Sequence, residues 1–280
     1  VNASQRSNNQ FSNPRLQDKW LAIQAQPQSN RNTIKEKSMN TVADFPVSTV
    51  SQAEFVTVPA TALPNGLVVP EFKVGKYLSG QSADGKVIIT ADAAPWVDIN
   101  FSDSKAAAKD AGYSLITETQ YLALALNIAG VAANWVSGIV GEGRMFQGLR
   151  DYSVDEAQPA SAGPDDGNER RWMELSNGDR IWDVAGNAYS WVFDDIQGDE
   201  TGLVAKPFSE VSPSITIAAS VAPSMEKGVG WYPSAGRDWS GDALIRGGCW
   251  NSGDNAGVFA LLSDWPDSES DDVGFRCTKQ

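Results

Sequence analysis

Apolar residues recur at helical spacing in few places along this chain and otherwise alternate or cluster in short runs. Over Glu118–Ala129, Leu122, Leu126 and Ala129 share one face and Ala123, Leu124 and Ile128 widen it, the stripe of a core-facing helix. Thr117 and Gln120 form a Thr-x-x-Gln capping box ahead of it and Gly130 stops the run. A second helix is expected over Asp103–Ala111, with Ser102 or Asp103 as cap and Gly112 placed to end it in a left-handed conformation. Pro14–Gln24, with Leu16, Trp20 and Leu21, is a brief third candidate.

The remaining apolar runs read as strands, rich in β-branched and aromatic residues and bounded by turn residues. They are Phe55–Val58 and Leu67–Val69 around a Pro64-Asn-Gly66 turn, then Phe72–Tyr77 and Lys86–Thr90 around a loop containing Asp84-Gly85. At the end of the chain Leu244–Trp250 and Val273–Cys277 bracket a middle of small, polar and acidic residues. Within that middle only Val258–Leu262 reads as a core strand. A fixed frame displaying a loop-rich face is the expectation.

Composition divides the chain. Residues 1–45 are rich in Asn, Gln and Ser and carry a charge of +3, leaving −16 for the rest of a chain whose total is −13. Such a segment buries too little apolar surface to offset its ordering entropy, so it is either a loose terminus or an arm that docks on a partner. The expected organisation is a polar, basic attachment arm over 1–45, a connector or small β element over 46–70, and a domain over 71–280 with its display region at 246–277. The acidic body argues against nucleic acid as ligand. No apolar run approaches the length of a membrane span, and the start of the chain has no signal-peptide apolar region; the chain reads as soluble with its export route open.

The segments Arg246-Gly-Gly-Cys-Trp-Asn251, Asn255-Ala-Gly-Val-Phe-Ala-Leu261 and Val273-Gly-Phe-Arg-Cys277 resemble the variable region of proteins diversified by retroelements. Those are C-type-lectin-fold proteins related to the formylglycine-generating (sulfatase-modifying factor) family. Pro95–Asn100, Leu115–Gln120 and the Gly186-Asn187 segment of Glu174–Trp191 are similar to that wider family, so the resemblance spans roughly residues 70–280. It implies an α+β, C-type-lectin-like or formylglycine-generating-enzyme-like domain with two helices, short strands and much irregular loop, preceded by the extended arm. In such systems adenines of asparagine codons are randomised, so Ser, Asp and Gly should crowd the exposed positions. They do so here, although Trp265 and Glu269 do not arise from an asparagine codon by adenine changes alone.

The resemblance implies a receptor-binding or adhesive protein on a phage tail (a virion component) or a bacterial cell surface. Its partners would be a host or cell-surface protein or glycan, and other virion or tail proteins through the arm, in a homo-oligomer such as a trimer. The ligand-binding candidates are Ser252, Asp254, Ser263, Asp264, Trp265, Asp267, Ser268, Glu269, Ser270, Asp271 and Asp272. Trp265 is expected to anchor recognition, since interfaces concentrate energy in a few aromatics; the competing reading is a core tryptophan.

Two alternatives stand beside it: a formylglycine-generating-type oxidase and a virion structural protein that binds nothing. The family's enzymes hold copper on a cysteine pair shortly after the Arg-Gly-Gly strand, because a soft cuprous ion favours paired thiolates. Asn251–Leu262 contains no cysteine, and the chain has no histidine, which removes imidazole metal sites and His-dependent triads. The chain therefore reads as non-enzymatic. Its two cysteines, Cys249 and Cys277, either form a disulfide pinning the ends of the display loop or remain buried thiols. The family often places calcium near Gly-Asn-x-x-Glu; here the acidic position is Ser190, with Asp194, Asp195 and Asp199 close behind as substitute ligands or as a solvated acidic loop.

Overall fold

The computed structural model describes residues 53–162, 169–216 and 227–279. The arm, with its helix expected at Pro14–Gln24, lies outside the described residues. The architecture is α+β, with short strands joined by much irregular chain. In chain order the elements are β1 (Phe55–Val58), β2 (Thr61–Ala62), β3 (Val68–Val69), β4 (Phe72–Gly75), β5 (Gly80–Gln81), β6 (Val87–Ile88), α1 (Phe101–Asp110), β7 (Ser114–Leu115) and α2 (Glu118–Ala129). They continue with β8 (Trp172–Glu174), β9 (Arg180–Trp182), β10 (Tyr189–Val192), β11 (Ala243–Arg246), β12 (Leu261–Asp264), β13 (Val273–Phe275) and β14 (Cys277–Lys279).

Local signals account for the helices. Thr117 accepts from the Gln120 backbone N–H at 3.2 Å while the Gln120 side chain accepts from Thr117 N at 3.1 Å, the reciprocal pair that satisfies two orphan donors at the start of α2. Helix α1 begins earlier than expected. Asn100, rather than Ser102 or Asp103, is its cap and accepts from Asp103 N at 2.9 Å. The reason is tertiary: Phe101 is buried edge-on against Trp191, and that contact fixes where the first turn lies. Gly112 takes φ +78 just past the helix, where only glycine enters without strain.

One four-stranded sheet has the order β1-β4-β14-β7 and the other β12-β11-β10-β13. In the first, β1 pairs antiparallel with β4 along its whole length, and Val56, Val58, Leu63 and Val69 join the core beneath α2. The β element expected before residue 71 is thus built into this sheet and core. Strands β5 and β6 pair with each other across the Gly85 turn, so β4 finds its partners in β1 and β14 instead.

The chain passes from β13 in the second sheet to β14 in the first across a single residue, Arg276. Its buried guanidinium donates to the carbonyls of Gly75 and Trp182 at 2.6 Å each and of Asp183 at 3.0 Å. Burial lowers its pKa to about 10, against the opposing pull of Asp183. The second sheet holds β11, β12 and β13, and two expectations about this part of the chain change. The strand expected over Leu244–Trp250 stops at Arg246, because Gly247 and Gly248 adopt φ +99 and +91. A Cβ on Gly248 would lie 2.6 Å from Ala256. Val258, Phe259 and Ala260 are buried as expected, but strand geometry begins only at Leu261, since Phe259 N donates to Val229 O in a neighbouring loop.

Candidate recognition face

Strands β11, β10 and β13 lie side by side in the second sheet. β10 pairs antiparallel with β11 and parallel with β13, and Trp191 and Phe275 within them are fully buried. Trp191 Nε1–H donates to Ile99 O at 2.9 Å, so even its one polar atom is satisfied. Arg246, at the end of β11, forms a buried ion pair with Glu118 and donates to Phe259 O at 3.0 Å and Ser214 O at 3.1 Å. It therefore ties β11 to the first residue of α2 and to the chain returning from the first loop.

The loop from Trp265 to Asp272 follows β12. Trp265 is 72% exposed, which places it outside the core. Its backbone is held: Trp265 N donates to Asp264 Oδ1 at 2.8 Å, Ser268 N to Trp265 O at 2.9 Å, and Phe101 N to Pro266 O at 3.1 Å. Asp98 N donates to Ser270 O and Tyr189 N to Asp272 O, so the far end of the loop is fastened too. Asp267, Glu269 and Asp271 are exposed; Ser263, Asp264, Ser268, Ser270 and Asp272 are half-buried. Burial pushes the Asp264 carboxyl up, with Trp265 N–H and Ser268 pulling the other way and the charges of Asp272 and Asp242 adding to the rise. Ser263 Oγ donates to Asp242 Oδ2 at 2.8 Å.

The loop Trp250–Asn255 meets this one at Cys249. The thiol lies 3.0 Å from Ser252 Oγ, 3.2 Å from Asn251 Oδ1 and 3.3 Å from Asp272 Oδ2, and Ser252 Oγ donates to the Tyr189 hydroxyl at 3.2 Å. Ser252 and Asp272, at the two ends of the candidate set, are therefore brought together under the surface. Asp254 is directed elsewhere: its Oδ1 accepts from Arg144 NH2 and from Arg150 NH1, both at 2.7 Å. Those arginines hold its carboxyl below the usual range. Arg144, Arg150, Tyr189 and Asp242 were not singled out from sequence. Each lies more than 20 positions from the residue it touches, so no local pattern marks it.

This structure is similar to that of a variable protein. Variable protein 1 of Treponema denticola matches with a TM-score of 0.42 and 14% identity, over 84% of this chain and 99% of that one. PvdO from Pseudomonas aeruginosa matches with a TM-score of 0.38 and 16% identity, over 81% and 92%. The Major Tropism Determinant P3c variant matches with a TM-score of 0.35 and 14% identity, over 74% of this chain and 50% of that chain, so the match spans half of that protein's length. No protein-family model and no curated protein matches the chain.

Of the two readings of the cysteines, the structure has the buried thiols. Cys249 and Cys277 are free and buried, each with its own partners, Cys277 Sγ accepting from Ser79 Oγ at 3.3 Å. The reason is topological: β10 lies between β11 and β13, and Cys277 belongs to the other sheet. Burial raises both thiols, Cys277 to about 11 and Cys249 further still, with the Asp272 carboxylate adding to the rise. Neither is a thiolate at neutral pH, the form that attacks electrophiles or binds metal.

The residues weighed as calcium ligands or as a solvated acidic loop hold separate hydrogen bonds, and one of them, Asp194, is buried with its Oδ2 atom unpartnered. Asn187 is buried, its Oδ1 accepting from Gln158 N and its Nδ2 donating to Gln158 O and Asp183 Oδ2. Ser190 is buried in β10. Asp194 Oδ1 accepts from the amides of Ile196 and Gln197, Asp195 Oδ1 from Thr119 N, and Asp199 Oδ1 from Thr201 and Leu203. These carboxylates cap separate turns and a helix start, and among the described residues no group of three or more metal-type side chains converges.

Proposed function

We propose that this chain is a binding protein that presents the Trp265–Asp272 loop and the residues around Ser252 to a ligand on a cell surface, from a phage tail or from a bacterial surface. The observation that carries the reading is Trp265. An indole held in solvent on a loop whose backbone is hydrogen-bonded at both ends leaves its apolar face unburied, a state that an incoming partner reverses. Pro266 restricts the backbone of the residue before it, which lowers the ordering cost of binding. The Ser, Asp and Glu side chains around it suit the polar rim of an interface. The oxidase alternative, which needs paired thiolates, is disfavoured by two thiols that are buried, apart and shifted away from ionisation.

Residues 1–45, basic against an acidic body, serve in this reading as the arm that attaches the domain to other virion or surface proteins or to further copies of itself, in a homo-oligomer such as a trimer. The test is binding of labelled protein to a panel of intact bacterial cells. Wild type should bind at least one strain, and Trp265→Ala should bind it more weakly by about 2 kcal/mol, roughly 30-fold. A wild-type protein that binds no cell, or a variant that binds as well as wild type, ends the reading in this form.

A further inference from the structure

The clamp on Asp254 borders a cleft of about 510 Å³ lined in part by Val136, Arg144, Phe146, Gln147, Arg150 and Asp151. None of its lining residues belongs to the Trp265–Asp272 loop. Its walls are of two kinds. Val136 is 64% exposed and the Phe146 ring is half-buried, so one side is apolar. The other side carries two guanidiniums that converge on a single point, the Asp254 Oδ1 atom, 2.7 Å from each. A third, that of Arg170, stacks on the Phe146 ring at 3.8 Å. Three acids stand among these arginines, Asp254 on the clamp, Asp151 in the lining and Glu169 accepting from Arg150 N and Asp151 N, so the positive charge is matched by the chain's own carboxylates.

Both arginines are fixed by other contacts as well. Arg144 NH2 donates to Gln147 Oε1 at 2.7 Å, and Gln147 is itself buried and donates to Ala256 O at 2.6 Å. Arg150 is almost buried, its NH2 lies 3.7 Å from Asp151 Oδ2, and its carbonyl accepts from Gly253 N. Asp254 is the most exposed of the three. It is mostly exposed and sits in a short turn, Gly253–Asn255, where Gly253 takes φ +55. It also engages both guanidiniums through one oxygen, leaving their capacity for two-pronged carboxylate binding unused.

We propose that this cleft binds a carboxylate carried on a compact apolar body, and that Asp254 is the chain's own carboxylate occupying the anion position when no ligand is present. The ligand's carboxylate replaces Asp254 Oδ1 between Arg144 and Arg150 while its apolar body lies along Val136 and Phe146. The exchange swaps one carboxylate for another. The ligand's carboxylate can meet the two guanidiniums with both oxygens where Asp254 uses one, and the apolar surface it buries adds to that gain. The identity of residue 254 then sets whether the cleft is open: Asn keeps the size of Asp but gives up the charge that competes.

Benzoate is a suitable probe and benzyl alcohol its uncharged counterpart, titrated into the full chain by calorimetry. Asp254→Asn is expected to bind benzoate about fivefold more tightly than wild type, the factor that a competing exposed ion pair of about 1 kcal/mol is worth. Adding Arg144→Gln to it should abolish the gain, and benzyl alcohol should bind neither protein. Equal benzoate affinity in wild type and Asp254→Asn, or benzyl alcohol binding as well as benzoate, would overturn the proposal. Arg144→Gln alone, at a partly exposed side chain, supplies the check should Asp254→Asn fold poorly: it must weaken whatever benzoate binding wild type shows, and unchanged binding counts against the cleft. Trp265→Ala should bind benzoate as wild type does, so failure here and failure of the cell-surface reading are separable.

Discussion

Arg246 and Glu118, 128 positions apart in the chain, form an ion pair in which neither side chain has any solvent exposure. Arg246 Nε donates to Glu118 Oε2 at 3.0 Å and its remaining donors reach the carbonyls of Phe259 and Ser214, so the charge is fully accommodated. This pair joins helix α2 to the sheet from which the Trp265–Asp272 loop emerges.

Removing one partner should be far worse than removing both. Arg246→Met leaves a buried carboxylate and is expected to cost about 3–5 kcal/mol, whereas Arg246→Met with Glu118→Met should recover most of that loss. Burial pushes the Glu118 carboxyl up even with Arg246 beside it. A raised carboxyl favours the folded state in its protonated form, so the deficit of Arg246→Met should be smallest below about pH 4.5 and grow as pH rises through the folded value. Denaturant midpoints across that range check both points; a single variant as stable as wild type would refute them.

Trp265 and Phe275 should separate surface from frame. Phe275, fully buried, is expected to cost about 3–5 kcal/mol when cut to Ala. Trp265→Ala should fall within about 0.5 kcal/mol of wild type, the range for surface substitutions. Thermal melts of the two variants decide this, and equal destabilisation would place the indole in the core.

Asp264 should make the protein slightly less stable at neutral pH than it need be. Its carboxyl is raised by burial. A carboxyl raised on folding stabilises below its unfolded value, near 3.8, and that contribution is lost as pH rises through the folded value. Asp264→Asn keeps an acceptor for Trp265 N and removes the charge. It should therefore raise Tm at pH 7 by an amount worth a fraction of a kcal/mol, given the group's partial solvation, with the difference vanishing toward pH 3. A Tm difference that widens on acidification would contradict the assignment.

Two thiols should react with a thiol reagent once the protein is unfolded without reductant, and neither should react quickly while it is folded, because both are buried and protonated. A denatured protein with no reactive thiol would restore the disulfide.

What the sequence alone settled was local. Helix α2 has the bounds and the capping box that Thr117, Gln120 and the Leu122 stripe imply, because caps and stripes act between residues three or four apart. Strand β1 likewise keeps Phe55–Val58, and the polar composition of residues 267–272 agrees with an exposed or half-exposed loop. The tertiary structure decided what depends on distant partners. Asn100, Ser102 and Asp103 are all capping types, and the packing of Phe101 on Trp191 chose among them. Asp254 looks like its neighbours in sequence, yet Arg144 and Arg150, 110 and 104 positions away, hold it. The cysteine alternatives were equal on paper because spacing carries no information about which strand lies between two others. Strand order does, and it is set by the burial of whole sheet faces rather than by any run of residues.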